Sequence, residues 1–170
     1  MIPKNEQEIL STLLYMHLCQ MIERLGNIPA DRWDWQIEPP APSARILGEH
    51  CYSWMVCDRQ HILETDIDKH ELIPMPESQS ELCTALAKEA EVWKNLILSL
   101  TPAQMNELRY QFGNREMNIR GFVGHILQNT IYKNGQISAI YFALGLDGTE
   151  PYEAPIPNPI YNQLKQCKNA

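Results

Sequence analysis

Paired cysteines are missing from this sequence. Its five cysteines form neither a CxxC pair nor a zinc-finger spacing; they are Cys19, Cys51, Cys57, Cys83 and Cys167. A scattered, odd-numbered set of thiols is typical of a reduced protein, so we expect no disulfides and a cytoplasmic location. A chain of 170 residues buries about 70% of its unfolded surface, so its fold requires neither a disulfide nor a metal.

Long apolar runs and basic clusters are missing as well. The longest apolar runs are a few residues, against the ~20 that span a bilayer, so we predict a soluble protein. The opening MIPKNEQEIL has neither the basic start nor the apolar stretch of a secretory signal. No two Lys or Arg residues are adjacent and the net charge is −7, whereas nucleic-acid binding requires a basic surface. We therefore expect neither a membrane nor a nucleic acid as a partner.

Four stretches repeat apolar residues every three or four positions, which is the period of an amphipathic helix. Each begins at a residue whose side chain caps free backbone N–H groups, namely Asn5, Ser43, Ser78 and Asn118. Each has a stop signal or a connection after it, and the clearest stops are Gly26-Asn27, Thr101-Pro102 and Gly145. The predicted helices cover residues 5–26, 43–65, about 78–100 and 118–144.

The segments between these helices are also informative. Residues 28–42 contain four prolines together with Trp33 and Trp35, which excludes a long regular helix and predicts a crossover whose indoles pack on the bundle. Between Leu108 and Met117 the sequence alternates around Gly113-Asn114, so a short two-stranded β-ribbon is expected.

The four periodic stretches predict an all-α fold, a four-helix bundle with long crossover connections. We expect residues 1–148 to form this bundle as one domain, with the proline-rich tail 149–170 packed on the same domain. Tyr152 and Tyr161 of that tail could cover a pocket or a partner surface. Periodicity indicates the fold class but not the function.

Three stretches, in this order, resemble the DinB/YfiT-like family of small metalloenzymes with a four-helix bundle fold. Residues 34–47, DWQIEPPAPSARIL, are similar to the family's proline-rich lead into its second helix. The hairpin at 110–115 followed by NIRGF at 118–122 is similar to the family's ribbon and fourth-helix start, and GQI at 135–137 to its HxGQI motif. The resemblance covers roughly residues 5–146 and implies the same bundle.

The resemblance also implies where a metal would bind. The family's usual site has one histidine on the second helix and a HxxxH pair on the fourth, leaving positions open for water or substrate. Those positions fall here on His50, Asn129 and Lys133. An amide is a poor ligand for zinc or nickel and an ammonium repels a divalent cation, so the usual three-His site is expected to be lacking. A shifted site for Zn or Ni could use His50 and His125. Residues 125 and 133 differ by ~80° in direction on their helix, so His125 and Lys133 cannot both point at one atom without strain.

The other candidate pocket residues are Cys51, Trp54 and Gln136, and the first two have a functional and a structural interpretation each. Cys51 is a nucleophile if its pKa is lowered, or a buried packing residue, since it points about 100° away from its neighbour His50. Cys57 has the same two interpretations. Trp54 either lines the pocket or anchors the core.

The three family positions also have two interpretations each. His50 is a metal ligand or general base, or a core-edge histidine that bonds across to the fourth helix. In the functional interpretation Asn129 and Lys133 line a pocket, in which the ammonium of Lys133 holds an anionic substrate or lowers the pKa of His50. In the structural interpretation Asn129 makes an interhelical hydrogen bond and Lys133 extends to solvent. His17, His61 and His70 are expected to share no role.

Two functional hypotheses follow. In the first, the chain is a DinB-like domain that lacks the usual metal site and binds a small-molecule ligand or pairs as a homodimer. In the second, it is an active transferase that uses a low-molecular-weight thiol and a divalent metal held by His50 and His125. A DNA-damage-linked binding protein would follow only from the family name, and the acidic charge disfavours it.

Overall fold

The structure, a computed structural model, describes residues 4–111 and 115–146. The tail 149–170 and the turn Gly113-Asn114 lie outside the described residues, so the predictions for them remain predictions. The α-helices are α1 Glu6–Asn27, α2 Ala44–Leu63, α3 Gln79–Ser99, α4 Pro102–Met105 and α5 Ile119–Ala143. The strands are β1 Leu108–Gln111 and β2 Arg115–Asn118, and 3-10 turns lie at Ala30–Arg32 and Ile67–Lys69. The predicted fourth helix is α5.

Side-chain caps start the long helices where the sequence predicts them. Asn5 Oδ1 accepts from Glu8 N at 2.9 Å, and Asn118 Oδ1 accepts from Gly121 N at 2.8 Å. Ser78 and Glu81 form the complete capping box of α3, in which side chain and backbone cap each other reciprocally. These local hydrogen bonds explain why the predicted starts agree with the structure.

The predicted ends agree less evenly. Gly145 terminates α5 with a φ of +66°, a left-handed conformation that favours glycine. The stop predicted at Gly26-Asn27 agrees within one residue, because α1 ends at Asn27 and the chain is extended at Ile28, before Pro29. Thr101 caps the unpredicted one-turn helix α4, with Gln104 completing the capping box.

The four long helices form the bundle around one apolar core. α1 packs on α3 and α5, and α2 packs on α5 and α3, so α1 and α2 lie diagonally opposite. Trp93 and Phe122 are the largest fully buried side chains, and Trp93 Nε1 donates to Met55 O at 3.0 Å. Trp33 is buried in the same core and Trp35 packs against it, which confirms the prediction for the crossover.

The predicted β-ribbon is confirmed: β1 packs on α2, and β2 leads directly into α5. β1 and β2 pair antiparallel, with Leu108 opposite Asn118 and Gln111 opposite Arg115. Arg109 Nε donates to Ile62 O at 3.1 Å, which ties the ribbon to the end of α2. The ribbon thereby sets the start of α5 beside the last turn of α2. None of the helices in the described residues is long and apolar enough to cross a membrane.

Candidate functional site

Facing side chains show that α2 and α5 run antiparallel. His61 near the end of α2 stacks on Phe122 near the start of α5, with ring centroids 5.9 Å apart. One turn earlier on α2, Asp58 contacts His125, and nearer the start of α2 the thiol of Cys51 lies 3.9 Å from Thr130 Oγ1. Along this contact lie five residues that we call the α2–α5 site: His50, Trp54, His125, Asn129 and Lys133.

A buried carboxylate holds the imidazole of His125. Asp58 is fully buried, and its Oδ2 lies 2.5 Å from His125 Nδ1. Because a carboxylate only accepts hydrogen bonds, Nδ1 carries the proton and Nε2 is left for a ligand. The hydrogen bond from the imidazole to Asp58 raises the pKa of His125 above its usual 6.5, against the effect of burial. Asp58 Oδ1 is buried and has no hydrogen-bond partner within the residues that the structure describes.

His50 behaves in the opposite way. Partial burial lowers its pKa below the usual 6.5, and the positive charges of Lys133 and His125 lower it further. The effect of Lys133 on the pKa of His50 is one of the two functions that sequence analysis considers for this lysine. The site therefore holds one histidine whose pKa is lowered beside another whose pKa is raised.

The indole of Trp54 contacts both imidazoles. Its ring centroid lies 6.2 Å from that of His50 and 5.0 Å from that of His125, the second contact being edge-to-face. Trp54 is half-buried, so it belongs to the wall of the site as well as to the packing around the core. The pocket-lining interpretation of this residue fits the geometry.

Asn129, Lys133 and Gln136 follow His125 along the same side of α5, and all three are half-buried. Lys133 Nζ lies 5.3 Å from the ring centroid of Tyr132, within the range of a cation–π contact. Gln136 Oε1 is buried and has no hydrogen-bond partner in the described part of the chain. This face of α5 thus presents an imidazole, an amide and an ammonium in successive turns.

The nucleophile interpretation of Cys51 is wrong. The thiol is buried, and burial raises its pKa to about 12, although Thr130 and Lys133 act in the opposite direction. A thiol with that pKa holds almost no thiolate at neutral pH. Cys57 is also no nucleophile, since burial and the neighbouring Asp58 raise its pKa to about 11. Cys51 packs in the core, as its structural interpretation holds, whereas Cys57 is half-buried.

The metal candidates His50 and His125 lie at the same site, since both rings contact Trp54 and the charge of His125 lowers the pKa of His50. Among the described residues, however, no group of three or more His, Cys, Asp and Glu side chains is arranged to hold a metal. Asp58 fits the role of a carboxylate that orients a metal-binding histidine, whereas the ammonium of Lys133 does not fit a divalent cation. The chain's own residues thus fit a metal only in part.

Sequence analysis does not single out Asp58 as functional. Helical periodicity places Asp58 on the buried face of α2. A buried carboxylate needs a partner, so its position could have indicated a contact with another polar residue. His61 and His70, which are expected to share no role, are in contact with each other. Their rings are 4.7 Å apart, edge-to-face, because the connection after α2 folds back over the helix end. His17 lies apart from this pair, on α1.

The comparison with solved structures supports the fold. No family model and no curated protein matches the sequence, whereas five solved chains match the structure. A DinB-like protein, YjoA from Bacillus subtilis, has a TM-score of 0.69 and 16% identity over 87% of this chain and 99% of its own. YfiT from Bacillus subtilis has a TM-score of 0.67 and 12% identity over 85% of this chain and 91% of its own. It is described as a probable metal-dependent hydrolase with an unusual four-helix bundle topology. This chain therefore has the DinB/YfiT-like fold.

Proposed function

We propose that the α2–α5 site binds a small anionic ligand in place of the divalent metal that the resemblance to the DinB/YfiT-like family would imply. The observation that carries this proposal is the contact between Asp58 and His125, together with the positive charge of Lys133 that acts on the neighbouring His50. The hydrogen bond to Asp58 favours the charged form of His125, which presents Nε2–H, and Lys133 adds an ammonium. His50, whose neutral form is favoured, can exchange a proton with the ligand.

The placement of the charges supports an anion more than a cation. Burial lowers the pKa of His50 most, and the positive charges of Lys133 and His125 lower it further. Because Asp58 offsets the charge of His125, the ammonium of Lys133 is the charge that would repel a divalent cation and attract a carboxylate or phosphate. Trp54 supplies an apolar wall, which is typical of small-molecule sites with a few well-placed polar groups.

Binding of a simple anion tests the proposal. Inorganic phosphate is titrated into the protein at pH 6.5 while the ring resonances of His50 and His125 are followed by NMR. We expect saturable shifts at both residues, a dissociation constant at least tenfold higher in Lys133→Met, and no change in the control Lys88→Met on the exposed face of α3. Equal binding by wild type and Lys133→Met would show that this lysine does not hold the anion.

One observation favours a second candidate, the metal- and thiol-dependent transferase that uses His50 and His125. A carboxylate bonded to one ring nitrogen is the arrangement that orients metal-binding histidines, and Asp58 makes that contact with His125. A bound divalent metal would supply a Lewis acid that lowers the pKa of a thiol substrate. In this candidate His50 and His125 hold the ion through nitrogen, and Asp58 fixes the orientation of the second imidazole.

Metal analysis separates the two candidates. Stoichiometric zinc or nickel in protein purified without a His tag, lost in His50→Ala, would establish the second candidate and contradict the first. The double variant Asn129→His/Lys133→His, which restores imidazoles at both helix positions of the usual site, is the positive control. We expect zinc to bind this variant and not the wild type.

A further inference from the structure

A row of hydrogen-bonded polar side chains lies between α1 and α5, on a different side of α5 from the α2–α5 site. Glu6 bonds to Arg120 near the starts of both helices. Arg24 bonds to Asn134 further along, so the two helices run in the same direction. Asn134 follows Lys133 in the sequence but points about 100° away from it, towards α1. The residues of this row, which we call the α1–α5 site, are His17, Gln20, Arg24 and Asn134.

Arg24 determines the orientation of both amides in the row. A guanidinium only donates hydrogen bonds, so the atom of Asn134 that lies 2.6 Å from Arg24 Nη1 is the oxygen Oδ1. The nitrogen Nδ2 of Asn134 therefore faces Gln20 and donates to its Oε1 at 3.4 Å. His17 also bonds to the side chain of Gln20, and because this contact raises the pKa of His17, the imidazole is the donor. Gln20 Oε1 thus accepts both hydrogen bonds.

The amide and guanidinium groups that remain unused in this row are all donors. The two amide oxygens accept hydrogen bonds from within the row, whereas Gln20 Nε2 and the Nε–Nη2 edge of Arg24 have no partner among the described residues. None of these three nitrogens is both buried and unpartnered, so solvent reaches each of them. A half-buried set of donors without an acceptor suits a ligand that carries oxygen atoms.

The free edge of Arg24 is the edge that binds a carboxylate elsewhere in this fold. Arg59 donates from Nε and Nη2 to the two oxygens of Glu89, each at 2.9 Å. Arg24 has no such partner among the described residues, and its neighbour Glu23 is exposed and points about 100° away around α1. The described arginines that do pair with a carboxylate are Arg32, Arg45, Arg59, Arg109 and Arg120. The planar edge of Arg24 is therefore available for a carboxylate from outside the chain.

We propose that the α1–α5 site binds the carboxylate group of a small-molecule ligand, at a position separate from the α2–α5 site. The Nε–Nη2 edge of Arg24 holds the two oxygens side by side, and Gln20 Nε2 donates to one of them. Asn134, which is only 6% exposed, holds the guanidinium in place from behind. Burial and the charge of Arg24 lower the pKa of His17, which favours a neutral imidazole. The site then carries the single positive charge of Arg24, which matches one carboxylate.

Titration with acetate tests the site. Sodium acetate is added to the full chain at constant ionic strength while the ring resonances of His17 and the Nε–H resonance of Arg24 are followed by NMR. We expect saturable shifts of both, with a dissociation constant in the millimolar range because a single bidentate contact carries the binding. Arg24→Gln should raise this constant at least about tenfold, and Arg24→Lys, which keeps the charge without the planar edge, at least about fivefold. Arg32→Gln, the same change at an exposed arginine, is the matched control and should bind like wild type.

A second variant tests the site without removing the arginine. Gln20→Glu keeps the shape of the side chain and the oxygen that accepts from Asn134 and His17. Its other oxygen replaces the free amide nitrogen and offers Arg24 a carboxylate from the chain itself. We expect this variant to keep the urea midpoint of wild type and to lose the saturable response to acetate.

Lys133→Met separates this site from the α2–α5 site. We expect this variant to leave the acetate response of His17 and Arg24 unchanged, so the two proposals can fail independently. Shifts that grow linearly without saturation, Arg24→Gln that binds like Arg32→Gln, Gln20→Glu that binds like wild type, or a response that disappears in Lys133→Met would each overturn the proposal.

Discussion

Asp58 Oδ2 and His125 Nδ1 lie 2.5 Å apart between α2 and α5, and they join a fully buried carboxylate to a half-buried imidazole. The other carboxylate oxygen has no hydrogen-bond partner among the residues that the structure describes. The charge of Asp58 is therefore compensated mainly by His125, which makes this single contact important for stability as well as for the site.

Removal of the His125 imidazole should lower the free energy of unfolding by much more than the loss of its packing contacts alone. We expect His125→Ala to lower the free energy of unfolding by about 3–5 kcal/mol, because it leaves a buried carboxylate without a partner. The exposed His50→Ala is the control and should cost less than about 1 kcal/mol. Asp58→Asn/His125→Ala should recover part of the loss. Equal urea midpoints for the two single variants would contradict this account.

The same contact predicts a pH dependence. The folded pKa of His125 is raised above the 6.5 of the unfolded chain, so its stabilising effect is complete below pH 6.5 and is lost as the pH rises through the folded value. We expect the difference in unfolding free energy between wild type and Asp58→Asn to be larger at pH 6 than at pH 9. NMR titration should show a lower pKa of His125 in Asp58→Asn, and a stability difference that grows with pH would have the wrong sign.

Lys133 should be detectable through the titration of His50. Its ammonium contributes to the lowered pKa of His50, after the larger effect of burial. Lys133→Met should therefore raise the pKa of His50 while keeping the length of the side chain. The pKa of His61 is the internal control, because burial, His70 and Asp58 shift it, not Lys133. An unchanged pKa of His50 would place the ammonium away from the site.

Cysteine reactivity should follow burial. Cys19 is exposed, whereas Cys51 is buried with its pKa raised to about 12. In native protein at pH 8, iodoacetamide should label Cys19 and leave Cys51 unmodified until the chain is denatured. Peptide mass spectrometry measures both sites in one sample. Labelling of Cys51 at a rate similar to Cys19 would restore the nucleophile interpretation.

The features that could be predicted correctly from the sequence are those that depend on local interactions. Helix starts at Asn5 and Asn118 follow from caps within three residues, and the inward direction of Cys51 follows from the 100° step of a helix. Asp58 and His125 are 67 residues apart, so their contact depends on the packing of α2 on α5, which periodicity alone does not determine. The contact between His61 and His70 likewise depends on the path of an irregular connection.

Gly48 shows how closely the helices pack where α2 meets α1 and α3. A Cβ at this position would lie 2.9 Å from Leu82 Cδ2 and 3.2 Å from Leu25 Cδ1. Both leucines are buried, so neither can move aside without disturbing the core. Overpacking of a dense core costs about 1–3 kcal/mol, whereas alanine in a helix gains only about 0.5–1 kcal/mol over glycine.

We therefore expect Gly48→Ala to lower the urea midpoint, with a net loss of about 1–2 kcal/mol in the free energy of unfolding. Gly26→Ala in α1 is the matched control, because its Cβ would meet nothing nearer than Cys83 Sγ at 4.0 Å. That variant should equal or exceed the stability of wild type. Since both substitutions add the same methyl group to a helix, only the neighbouring leucines distinguish them, and equal midpoints would mean that α2 does not approach α1 and α3 this closely.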